Sequence, residues 1–189
     1  MIETVMIWLK HEPKSLNDWL ELSSVTLAGG LLMAAIAFVH GGRNPAAVMY
    51  ERSLTVAEDG HWGRGWKLTL FVLGETLVYQ GFGMTYAVDH FGASIELLLA
   101  AAAIGTVQGF LPPHHHLPVQ TRVAAVFGSF ILSLIFLKCG GWSSAWTSIR
   151  DALVITWLAH LIPVGILSAV FAYNHKVQVK TTNNTPRPP

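Results

Sequence analysis

Over most of this chain apolar residues gather in long uncharged runs and do not alternate with polar ones. A run of about 20 residues is the length a helix needs to cross a hydrocarbon core of about 30 Å. Such runs at 19–39, 66–88, 93–111, 121–137 and 151–173 predict an all-α fold, a polytopic membrane protein with a bundle of about five transmembrane helices. The first nine residues, Met1 to Leu9, are apolar but too short to span, which predicts an interfacial segment or a packing arm.

Local signals set the ends of these runs. Ser15-Leu-Asn-Asp18 offers an N-cap with an acid three residues on. Asp89-His-Phe-Gly92 is short enough to force the neighbouring helices antiparallel, and Pro112-Pro113 stops the third. Asn44-Pro45 predicts a short surface helix over 46–57 within a polar loop. Gly29, Gly30, Ala34 and Ala37 on the first run, and Ala101, Gly105 and Gly109 on the third, predict close helix contacts. One domain is expected over 1–175, followed by a polar, disordered cytoplasmic tail at 176–189.

Composition narrows the class. The chain is 52% hydrophobic and 12% charged, and its mean hydropathy of +0.45 favours lipid as a partner. A net charge of +1 without a basic tract gives no nucleic-acid footprint. One cysteine, Cys139, excludes an internal disulfide and a thiolate metal cage. Glu3 and the lack of a basic start argue against a removable signal peptide. Arg43, Arg52, Arg64, Lys67, Arg122, Lys176, Lys180 and Arg187 would share one side, against Lys10, Lys14, Lys138 and Arg150 on the other. The positive-inside rule then puts the N-terminus outside and the C-terminus in the cytoplasm, in a cell (inner) membrane.

The candidate chemistry lies in the polar exceptions. Glu75 falls near the middle of the second run and His160 inside the fifth, three residues before Pro163. A charged group at such depth costs about 2.5 to 3.5 kcal/mol on insertion scales, so it should face protein or water. Gln80 and Gln108 complete the expected intramembrane polar site, and helix-to-helix glue is its alternative role. His114, His115 and His116, with His61, form a candidate transition-metal site, because neutral imidazoles ligate those ions. Haem is a weaker fit, since His160 is the one deep histidine. No nucleophile elbow or phosphate-binding glycine motif points to an enzyme.

A polar first loop, a glycine-bearing second span, and Leu111-Pro112-Pro113 ahead of a Thr121-Arg122 entry to the fourth make the layout similar to the small five-helix subunit of bacterial cobalt transporters. The likeness is one of arrangement across spans two to four and matches no motif residue by residue. The function expected is a permease-type protein that binds or moves a cation, transition metals included. The alternative is an accessory subunit of a larger respiratory, photosynthetic or secretion complex, with other membrane subunits or further copies of itself as partners.

Overall fold

The structure is a computed structural model that describes residues 2–40, 61–111, 119–143 and 145–183. The expected surface helix at 46–57 and the histidines of 114–116 lie outside these residues. Helix α1 covers Ile2–Lys10 and α2 covers Leu16–His40. Helix α3, His61–Thr76, passes into a π-helical stretch, Leu77–Met84, and then into α4, Thr85–Phe91. Helix α5 is Ile95–Phe110, α6 is Val119–Phe136 followed by a kinked segment, Leu137–Gly141, in which Gly140 has a φ of +105°, and α7 is Trp146–Asn183. No strand occurs among the described residues.

The predicted ends hold where a specific residue carries them. Ser15 and Asp18 form the expected reciprocal cap of α2: the Asp18 N–H donates to Ser15 Oγ at 3.2 Å, and the Ser15 N–H to Asp18 Oδ2 at 2.9 Å. The Lys14 N–H donates to the same carboxylate oxygen at 3.0 Å. These donors pull the Asp18 carboxyl down to about 2. Gly92 ends α4 with a φ of +56°, a conformation that side chains with a Cβ resist, and so turns the chain into α5.

Helix α6 is the centre of the packing and touches α2, α5 and α7. Its approach to α5 depends on the glycines the sequence singles out. A Cβ on Gly105 would lie 2.7 Å from the Val126 carbonyl oxygen, so the two backbones meet with no side chain between them. Helix α7 continues through Pro163 and past Tyr173 to Asn183, over part of the stretch that composition reads as a disordered tail.

Among the described residues one helical stretch, Arg122–Gly141, is long and apolar enough to cross a membrane. The expected five-span bundle is therefore not supported by length and apolarity together. The physical reason is clearest at α5, which is apolar but has 16 residues, about 24 Å at ~1.5 Å per residue. What the structure adds is an arrangement of polarity. Glu75, Thr76, Gln80, Gln108, Ser129, Ser133 and Thr156 are buried, while Phe82, Leu99, Phe127 and Leu158 point outward, Phe82 with 76% of its surface exposed. Large exposed apolar side chains of this kind mark surfaces that meet lipid or another protein.

Candidate functional site

Helices α3, α5 and α7 bring three of the predicted site residues together. Glu75, in the last turn of α3, puts Oε2 4.0 Å from Nε2 of His160 on α7, and both side chains are largely buried. Gln108, in the last turn of α5, donates a side-chain hydrogen bond to the Glu75 carboxylate. The centre therefore lies level with the end of the short helix α5, although the second apolar run places Glu75 near mid-span. The other ring nitrogen of His160, Nδ1, is 3.3 Å from Thr76 Oγ1. Thr76 also donates to the Val72 carbonyl at 2.9 Å, a back-bond within its own helix.

Gln80 is fully buried but faces a different neighbour. Its Nε2 donates to Ser129 Oγ on α6 at 3.3 Å, and its Oε1 has no hydrogen-bond partner among the described residues. Ser133, one turn on, donates to the Ser129 carbonyl at 2.9 Å. The inward face of the bundle thus carries a polar patch built from α3, its π-helical continuation, α5, α6 and α7. Buried polar groups of this kind are costly unless they are paired, and most of these are.

No family model, no curated protein and no solved structure matches this chain.

The predicted metal ligands are not among the described side chains. His114, His115 and His116 lie outside the described residues, as does the side chain of His61. Among the described residues no three His, Cys, Asp or Glu side chains gather closely enough to hold a metal ion. Among the described residues the haem expectation gains no second imidazole either: His90 lies at the far end of α4, its Nδ1 2.9 Å from the Tyr86 carbonyl oxygen.

Sequence reasoning does not place Ser129 or Thr76 in the site. Thr76 could have been found from its place next to Glu75 and one turn before Gln80, which puts it on the same inward face. Ser129 had no such signal, because a serine in an apolar run commonly bonds back to its own helix. The π-helical stretch was missed as well; Gly81 and Gly83 fall inside it. Segments of this kind recur at functional sites, where they break the regular ladder of helical hydrogen bonds.

A second polar centre sits at the opposite end of the bundle. Lys138, just past the end of the fourth apolar run, is buried. Its Nζ donates to the Trp8 carbonyl at 2.8 Å and to the His11 carbonyl, and it stands 4.4 Å from the Trp8 ring centre. Trp142 Nε1 donates to the Leu9 carbonyl at 3.1 Å. The final carbonyls of a helix have no partner within it and carry its negative dipole end, so an ammonium group suits them. Helix α1 is thereby held as a packing arm, with Met6 and Leu9 in the core.

Proposed function

We propose that this chain is a small integral membrane protein of about five spans that binds or moves a cation through the Glu75 and His160 pair. One observation carries the reading: a buried carboxylate 4.0 Å from a buried imidazole, inside a bundle whose outward faces are apolar. Lipid solvates neither group, so both must face protein or water, and an intramembrane ionisable pair of this kind is either a used site or a bond between helices. Both groups change charge by taking or losing a proton, which lets the pair accept a positive ion and release it.

In this reading the polar residues of 112–118, His114, His115 and His116, with His61, receive the ion on the cytoplasmic side, and transition-metal ions belong to the class of cargo. The N-terminus is outside and the C-terminus inside. Glu75→Gln keeps the shape of the side chain and removes its charge. Metal-dependent uptake or resistance should be abolished in that variant while detergent-extracted protein keeps its helical signal; unchanged flux removes the proposal. A reporter fused to the C-terminus should register as cytoplasmic.

A second reading, an accessory subunit without activity of its own, has one observation in its favour. Leu16, Leu20, Leu27 and Leu31 are exposed at spacings that put them along one side of α2, as a partner helix would require. The glycines of α5 do not support it, since α6 of the same chain already covers them. Co-purification of other chains in fixed ratio, together with normal assembly when Glu75 is changed, would favour this role.

A further inference from the structure

We propose that the ion handled at Glu75 and His160 is a proton, and that Thr76 fixes the imidazole in the tautomer with hydrogen on Nδ1, so that Nε2 and the carboxylate share one proton. This inference rests on the cation reading of the same site and narrows it to one ion.

The tautomer follows from counting hydrogens. A threonine hydroxyl has one hydrogen to donate, and Thr76 donates it to the Val72 carbonyl at 2.9 Å. Toward His160 Nδ1, at 3.3 Å, Thr76 Oγ1 is left with lone pairs only. The ring nitrogen must therefore be the donor. With Nδ1 protonated, neutral His160 presents the bare lone pair of Nε2 to Glu75 Oε2, 4.0 Å away.

A bare lone pair opposite an ionised carboxylate, both buried, is an unfavourable arrangement in a medium of low dielectric. One proton relieves it, whether carried as the carboxylic acid or as the imidazolium beside a carboxylate. Transfer breaks the O–H bond of Glu75 as the N–H bond of His160 Nε2 forms, or the reverse, and involves no change of oxidation state. The 4.0 Å gap exceeds a hydrogen bond of about 2.7 to 3.2 Å, so transfer waits on a swing of one side chain toward the other. The pair then takes up its proton in one arrangement and passes it on in another.

The surroundings favour a proton over a metal ion. Transition metals in proteins take about four ligands, and among the described residues the centre gathers one imidazole and one carboxylate. Gln108 donates its N–H to Glu75, where a bound cation would want its carbonyl oxygen. Among titratable groups, Tyr79 on the helical path of Glu75 is close enough to feel its charge, α7 contributes His160, and α5 contributes the neutral Gln108.

Two measurements on the purified full chain test the proposal. In liposomes loaded with a pH-sensitive dye, a potassium diffusion potential should drive proton entry, which Glu75→Gln abolishes. Thr76→Val should slow it roughly ten-fold, the loss expected when a hydrogen bond that orients a charged group is removed, and Thr76→Ser should restore it. The nitrogen NMR spectrum of histidine-labelled protein should report hydrogen on Nδ1 of His160 in the parent chain and in Thr76→Ser, and a mixture of tautomers in Thr76→Val. Hydrogen on Nε2 with none on Nδ1 in the parent chain overturns the proposal. If protons do not move while zinc or cobalt uptake still depends on Glu75, the cation station stands and the proton is excluded. If neither depends on Glu75, both readings fall.

Discussion

Gly109 of α5 lies against the backbone of Arg122 in α6, so that a Cβ on the glycine would stand 2.7 Å from the Arg122 carbonyl oxygen and 2.6 Å from Val126 Cγ2. A backbone oxygen cannot swing aside as a side chain can. The contact therefore sets the distance between the helix that carries Gln108 and the helix that carries Ser129.

Gly109→Ala should push α5 away from α6 and cost about 1 to 3 kcal/mol, the range for overpacking a tight contact. Gly74, in α3, meets nothing within 4 Å at the same construction, so Gly74→Ala should be neutral or gain up to about 1 kcal/mol in helix propensity. Unfolding in a graded detergent mixture gives both values. Equal effects would mean that the α5 to α6 contact is looser than described.

Lys138→Met keeps most of the buried aliphatic stem and removes the ammonium that caps α1. Loss of its bonds to Trp8 and His11 should destabilise the arm by about 2 kcal/mol. The readout is trypsin cleavage after Lys10 and Lys14, which should speed up in the variant. Unchanged protection would assign the hold on α1 to Met6 and Leu9 alone.

Asp18 makes the start of α2 sensitive to acid. Its carboxyl is held down to about 2, from an ordinary 3.8, by the backbone donors of Ser15 and Lys14, with a side-chain bond from Ser15 added. A carboxyl whose folded value is depressed stabilises the fold fully above 3.8, and that contribution is lost as pH falls through about 2. Exchange of the Ser15 and Lys14 amide hydrogens should accelerate over that window, and Asp18→Ala should remove the pH dependence.

Gln80→Leu separates structure from use. The amide Oε1 is buried without a partner among the described residues, so an apolar side chain of similar length should cost less than about 1 kcal/mol. If Gln80 serves the same interior path as Glu75, ion movement should drop while stability holds. Loss of both together would make Gln80 a structural bond to Ser129 and nothing more.

Much of the helical layout is legible in the run pattern, because the signals that end a helix are local. Ser15 and Asp18 cap α2 from within four residues, and Gly92 turns the chain by its own backbone freedom. The burial of Glu75 was legible for a related reason: a carboxylate in an apolar run has few places to go. The continuation of α7 past Tyr173 was not legible, since polar composition alone does not say whether a helix already under way will stop.

Pattern and composition settled the helical class, the glycine contact and the inward turn of Glu75, all of which follow from neighbours within a few turns. The partners of those residues were decided by the packing of distant helices. His160 meets Glu75 and Thr76, Gln80 meets Ser129, and Lys138 meets the end of α1, across separations in the chain that no periodicity encodes. A hydrogen bond needs two groups within about 3 Å, and only the assembled bundle specifies which pairs come that close.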